Sequence, residues 1–141
     1  MLNSDSEMRA MLTEAKTIAV VGLSDNPMKA SFGVSRTMQR IGYRIIGVNP
    51  LVQGDVLGEK CYASLADLVA AEGKPGIVNV FRLPKFIPAV VDEMMALGLD
   101  NLWVQLGIDS PEATAKAEAA GMHVVMDRCI MIEHGRLGIR G

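Results

Sequence analysis

The sequence predicts an α/β domain of the doubly wound kind, a five-stranded, mainly parallel sheet with helices on both faces. Three observations carry this. Five apolar, β-branched runs begin near residues 17, 43, 77, 101 and 123, each separated from the next by a helical pattern. The runs lack an alternating polar face, as strands buried on both sides do. Finally, 141 residues, 50% apolar and 21% charged, suffice for one domain burying ~68% of its unfolded surface.

The elements follow in order. Ser6–Lys16 repeats apolar residues at Met8, Met11, Leu12 and Ala15, the spacing of one helix face, with Ser4, Asp5 or Ser6 as its cap. Thr17–Gly22 is the first strand. Ser31–Ile41 is a helix with Val34, Met38 and Ile41 inward and Gly42 as its stop. Tyr43–Val48 is the second strand, ending at Asn49-Pro50. A glycine-bearing stretch, Leu51–Tyr62, leads to a short helix from Ser64, where Ser64 and Asp67 have capping-box spacing. Ile77–Phe81 is the third strand. A helix follows over Lys85–Leu97, tolerating Pro88 in its first turn, and Gly98 closes it. Asn101–Leu106 is the fourth strand. Ser110-Pro111 caps and opens a helix running to Gly121, and His123–Met126 is the fifth strand. The tail carries Asp127-Arg-Cys-Ile-Met-Ile-Glu133.

Composition excludes several classes of function. Fourteen basic against 16 acidic residues leave a formal charge of -2, and aromatics are 4% of the chain. Neither a global positive field nor a stacking platform is available, so no nucleic acid is expected. No apolar run approaches the ~18 residues of a membrane span. The first eleven residues lack the basic-then-apolar order of a signal peptide. Cys61 and Cys129 are too few for a disulfide scaffold and have no metal-ligand spacing. A cytoplasmic protein without a metal site is the expectation. The 10 methionines fall mostly at helical core spacings and read as pliable packing.

In such a sheet ligands sit outside the carboxyl ends of the strands. The segment Gly22–Gly33 leaves the first strand and enters a helix, so free N–H groups and the positive helix end face that edge. Ser24 and Ser31 add hydroxyls and Lys29 a charge, which suits a phosphate. The plainer reading is an ordinary connection with Ser31 as N-cap. The dinucleotide fingerprint Gly-x-Gly-x-x-Gly is absent, since Gly22 and Gly33 stand eleven apart with no glycine between. The second strand ends in Asn49-Pro50 where a nicotinamide-nucleotide domain usually places an acid.

The strand-end pieces Ala19-Val-Val-Gly-Leu-Ser24, Gly47-Val-Asn-Pro50, Val80-Phe-Arg-Leu-Pro84, Trp103-Val-Gln-Leu-Gly-Ile108 and Asp127-Arg-Cys-Ile-Met-Ile-Glu-His134 occur in a familiar order. Together they resemble the small stand-alone coenzyme A-binding proteins, themselves similar to the N-terminal domain of the succinyl-CoA synthetase α subunit. The resemblance covers about Lys16 to Leu137. It implies a single Rossmann-like domain over 1–141, with an N-terminal helix in 1–16 and a core in 17–137. It implies coenzyme A, free or acylated, as ligand.

Carried over by position, the resemblance assigns Gly22, Ser24, Asp25, Pro27, Lys29, Ser31, Phe32 and Gly33 to the pyrophosphate loop. Ser24 and the backbone after it would be donors, with Lys29 close by; a carboxylate beside a phosphate repels it, so Asp25 is expected to point to solvent. Asn49 and Pro50 would border the nucleotide. Phe81, Arg82, Leu83 and Pro84 would line the adenine, and Arg82, Lys29 or Arg36 would read the 3′-phosphate. Gln105, Gly107 and Ile108 would lie beside the pantetheine arm, where the synthetases have Thr-Glu-Gly and this chain has Gln105-Leu106-Gly107.

No catalytic constellation is visible, so binding without catalysis is expected. Cys129, assigned to the site, reads either as a thiol able to exchange with the CoA sulfur, its pKa depressed by Arg128, or as a small buried hydrophobe; the second is favoured. Glu133-His134 reads as a surface pair, and His123 as a packing or edge residue. Two other functions compete: a Rossmann enzyme binding NAD(P) or another nucleotide, and a subunit supplying a CoA site to a partner acyl-CoA ligase-type chain. A homo-oligomer is also open.

Overall fold

The structure, a computed structural model, describes residues 4–139; the outermost positions of the expected domain, 1–3 and 140–141, lie outside the described residues. Helix α1 (Asp5–Glu14) is capped by Ser4, whose Oγ accepts the Glu7 N–H at 3.3 Å. The Ser4 hydroxyl donates to the Glu7 carboxylate at 2.6 Å. The strand–helix alternation then runs β1 (Thr17–Val21), α2 (Ala30–Ile41) and β2 (Arg44–Val48). After a small hairpin come α3 (Leu65–Glu72), β5 (Ile77–Val80), a 3-10 turn at Pro84–Phe86 and α4 (Ile87–Leu97). The hairpin strands are β3 (Asp55–Val56) and β4 (Glu59–Lys60). The chain continues with β6 (Asn101–Val104), α5 (Pro111–Ala119), β7 (His123–Val125) and α6 (Ile130–Arg136).

The five main strands form one parallel sheet in the order β2-β1-β5-β6-β7, as the doubly wound expectation requires. Successive residues point to opposite faces, and each face has its own core. Ala19, Val21, Val78, Val80, Leu102 and Val104 meet α3, α4 and α5. Ile18, Val20, Ile45, Ile77, Trp103 and Val125 meet α1, α2 and α6. Both faces are covered by helices, which explains why the strands read as largely apolar runs; Asn79 in β5 is a buried polar exception.

Two elements depart from the sequence reading. The glycine-bearing stretch Leu51–Tyr62 contains the β3–β4 hairpin, turning at Leu57 (φ 55°) and Gly58 (φ 84°). Two left-handed central residues match the twist of a hairpin, but Asn or Asp usually fills the first position. Leu57 tolerates it because its side chain packs on the α1–α2 core and Gln39 Nε2 donates to its carbonyl at 2.7 Å. The tail forms α6, whose N-cap, Cys129, makes no side-chain cap bond. Burial of Ile130 and Leu137 holds the helix, together with the Arg136 guanidinium on the Asp5 carboxylate of α1 at 2.8 Å.

Helix α2 also begins one residue earlier than expected. Its N-cap is Lys29, without a side-chain bond, and Ser31 sits inside the first turn. The expected cap role of Ser31 is therefore corrected. Ser64 does cap α3, accepting from the Asp67 N–H at 3.1 Å.

Candidate functional site

Strand β1 lies between β2 and β5, so successive connections leave it in opposite directions. This is the switch point, and the crevice above the strand ends is the default ligand position. Its geometry begins at Gly22. The Gly22 N–H donates to the Val48 carbonyl at 2.8 Å, and φ is +90°. A Cβ here would stand 2.5 Å from the Phe81 carbonyl oxygen and 3.2 Å from Arg82 Cδ. The space glycine leaves is thus occupied by the neighbouring strand exit. Glycine lets β1 and β5 diverge closely packed, and brings the Arg82 stem against the loop.

The loop that follows spends most of its donors on itself. The Ser24 N–H donates to Ser31 Oγ at 3.0 Å, the Asn26 N–H to Ser24 Oγ at 3.0 Å, and the Met28 N–H to Asn26 Oδ1 at 2.9 Å. The Lys29 N–H reaches the Asn26 carbonyl at 3.0 Å. The Ser24 amide and the amides of Asn26, Met28 and Lys29 are therefore not free donors, contrary to expectation. Among the described residues, nothing accepts from the Ala30 and Ser31 amides. Those first-turn groups, the Ser24 hydroxyl and the exposed Lys29 ammonium form the loop's polar face. Asp25 and Pro27 are exposed, Phe32 packs on the α1–α2–α6 core, and Gly33 has open space around it.

Asn49 acts as a clamp. Its Nδ2 donates to the Leu23 carbonyl at 3.1 Å while Oδ1 accepts the Leu51 N–H at 3.0 Å. Both ends of the amide are used to fix the loop after β2 against the loop after β1. Beneath it lies Cys61, a buried thiol whose pKa burial pushes up.

Above β1 and β2 opens a groove of about 380 Å³ lined by Val21, Val48, Pro50, Arg82, Phe86 and Val90, among others. Pro50 and Arg82 both line it. The aromatic ring is Phe86, which the sequence reading missed; Phe81 packs instead on the α1–α2–α6 core, and Leu83 and Pro84 are exposed. The Arg82 guanidinium stands 4.3 Å from the Phe86 ring centroid, and Lys85 Nζ is 5.1 Å from it. Among the described residues, no carboxylate lies within ion-pair distance of Arg82. The Arg-x-x-x-Phe spacing across a 3-10 turn was the available signal.

A second groove, of about 390 Å³, opens at the ends of β6 and β7. Cys129 lines it while only 4% exposed, so the thiol is a buried small group at the groove floor. Asp127, at φ 60°, accepts the Gly107 N–H at 2.6 Å and ties the two strand-end loops. Trp103 Nε1 donates to the Arg128 carbonyl at 2.9 Å. Gln105 Oε1 is buried without a hydrogen-bond partner, and Ile108 packs partly on the α3–α5 face.

The Glu133-His134 pair is not at the surface as expected. Both are 5% exposed. Glu133 holds Arg136 at 2.8 Å and Arg128 at 3.6 Å, and His134 meets Tyr43 edge-on at 5.8 Å. Burial pushes the His134 pKa down. Tyr43 precedes β2, so this histidine sits toward the sheet end opposite the crevice. His123 is exposed at the start of β7. Among the described residues, no group of three or more His, Cys, Asp or Glu side chains could hold a metal ion, and no helix is long and apolar enough to cross a membrane.

Comparison with known proteins gives a consistent result. Residues 16–135 match the CoA binding domain family. The uncharacterized protein YneT of Bacillus subtilis (strain 168) is 40% identical over 131 residues, covering 93% of this chain and 94% of that one. A solved structure from Thermus thermophilus is 41% identical, with a TM-score of 0.88 over 95% of this chain and 98% of that chain. A hypothetical protein from Pyrococcus horikoshii OT3 is 35% identical, with a TM-score of 0.89 over 96% of this chain and 93% of that chain. A family match that begins just before β1 and ends within α6, joined to relatives alike along nearly their whole length, means that this chain belongs to the CoA-binding domain family.

Proposed function

We propose that the protein binds coenzyme A, free or as an acyl thioester, along the carboxyl edge of the sheet and performs no chemistry of its own. The observation that carries this reading is Arg82. It is a guanidinium without a carboxylate partner among the described residues, held over Phe86 at the rim of a mostly apolar groove beside the switch point, whose lining also includes Ser64 and Glu93. An unpaired arginine on an aromatic face suits a planar base and its phosphates together.

In this reading the adenine occupies the groove between Pro50 and Phe86, and Arg82 meets the 3′-phosphate. The pyrophosphate faces the Ala30 and Ser31 amides, where the helix N-terminus favours negative charge, with the Ser24 hydroxyl and Lys29 beside it. The pantetheine arm then crosses the end of β6, beside Gln105, Gly107 and Ile108. Asn49 supports coenzyme A over NAD. It stands where a ribose-binding acid is usual, and both ends of its amide are already committed. Two free, buried cysteines suit a reducing compartment such as the cytoplasm.

Thermal shift with CoA, dephospho-CoA, NAD, NADP and ATP tests the reading. CoA at about a hundred times its Kd should add ~2.7 kcal/mol of stability. An equal or larger shift with NAD would overturn it. Mass spectrometry of a ligand copurifying with the protein, native and then denatured, would identify the occupant directly.

A further inference from the structure

The groove at the β6 and β7 ends has a composition that the CoA reading leaves unexplained. Leu106 and Ile132 line it while 55% and 51% exposed, above a floor that includes Met126 and Cys129. Two large aliphatic side chains bordering one hollow are an apolar surface without an intramolecular cover. The charges around it are mostly negative. Asp109, Asp127 and Glu133 face a single guanidinium, that of Arg128. Arg128 is already engaged, 3.6 Å from Glu133, which also holds Arg136 at 2.8 Å. Asp127 has one oxygen on the Gly107 N–H, and Asp109 has no cationic partner among the described residues.

We propose that this groove receives the acyl group of a CoA thioester, and that the acyl group is short, apolar and uncharged rather than a dicarboxylic half-thioester. The inference rests on the CoA reading above and names the ligand class for that site. The distances allow it. The arm springs from the pyrophosphate, at the α2 terminus beside the end of β1; from β1 to β6 and to β7 is two and three strand spacings, about 10 and 14 Å. The pantetheine arm has the main-chain length of about four extended residues, ~13 Å. An arm leaving the α2 terminus therefore delivers its sulfur to the β6–β7 ends. Beyond the sulfur an alkyl group meets Leu106 and Ile132. A terminal carboxylate there meets Asp109 and Asp127, with the one nearby cation already paired, so repulsion selects against it.

Isothermal titration with CoA, butyryl-CoA and succinyl-CoA at one ionic strength tests this. Butyryl-CoA should bind about tenfold more tightly than CoA, the gain from burying one to two methylenes. Succinyl-CoA should bind at least about tenfold more weakly than butyryl-CoA. Ile132→Ser should shrink the butyryl-to-CoA ratio toward one, and Asp109→Asn should bring succinyl-CoA closer to butyryl-CoA; both positions are exposed, so neither change should endanger folding. CoA binding with no butyryl gain, or with succinyl-CoA as the tightest ligand, would overturn the acyl assignment and leave the CoA reading standing. Failure of CoA itself to bind would overturn both.

Discussion

Truncating Arg82 to alanine is the sharpest test of the crevice. Its guanidinium lies 4.3 Å from the Phe86 centroid, a contact worth ~0.5–1 kcal/mol at a partly exposed site. No carboxylate partner is lost with it among the described residues, so the folded protein should lose no more than about that amount. The effect on ligand should be larger. A charge-assisted bond to a phosphate contributes ~1.5–3 kcal/mol, or about ten- to 150-fold in Kd. If Arg82 reads the 3′-phosphate, that loss appears with CoA and is nearly absent with dephospho-CoA. Titration of both ligands into the wild type and Arg82→Ala, at fixed salt, isolates the coupling. Arg82→Lys should fall between, since it keeps the charge and loses the planar stack. Equal weakening of the two ligands would show that Arg82 does not read the 3′-phosphate. No weakening of either would move the ligand out of this groove.

Other outcomes follow from the same geometry. Gly22→Ala should cost about 3 kcal/mol or more, because a Cβ meets the Phe81 carbonyl at 2.5 Å and φ is +90°; a folded variant of near wild-type urea midpoint would refute the crowding argument. Gly33→Ala, inside α2 with nothing near, should raise stability by ~0.5–1 kcal/mol, and a fall in the same midpoint would contradict the open space seen there. Ser31→Ala removes the acceptor of the Ser24 N–H and should cost ~1–3 kcal/mol, read by denaturation, with faster hydrogen exchange at Ser24; unchanged exchange would argue against the bond. His134 has its pKa lowered by burial from an ordinary 6.5, so the unfolded chain binds the extra proton first. Stability should therefore be complete above about pH 6.5 and decline as pH falls below it toward the depressed folded value. His134→Phe should flatten that slope, and an identical slope in the variant would assign it to other groups.

Much of this protein is legible before any fold is known, because burial on both sheet faces leaves a one-dimensional trace. Runs such as Ile18–Val21 and Leu102–Val104 contain no polar position, and the helices between them repeat apolar residues every three or four. Those patterns imply a parallel sheet, and a parallel sheet implies where ligand-bearing loops gather. That is why Gly22–Gly33, Asn49-Pro50, Arg82 and Gln105–Ile108 could be singled out from spacing and resemblance.

Tertiary structure decided what depends on meeting a distant residue. Leu57 gives no turn signal, and its left-handed backbone is affordable only with the α1–α2 core under its side chain and Gln39 on its carbonyl. Helix α6 has no polar cap, and its stability comes from Ile130, Leu137 and an ion pair to a helix at the other end of the chain. Composition cannot show that the Ser24 amide is taken by Ser31, nor that Phe86 rather than Phe81 lies beneath Arg82. Each outcome is a competition for one donor or one face. The winner is set by through-space distance, which a periodic pattern along the chain does not encode.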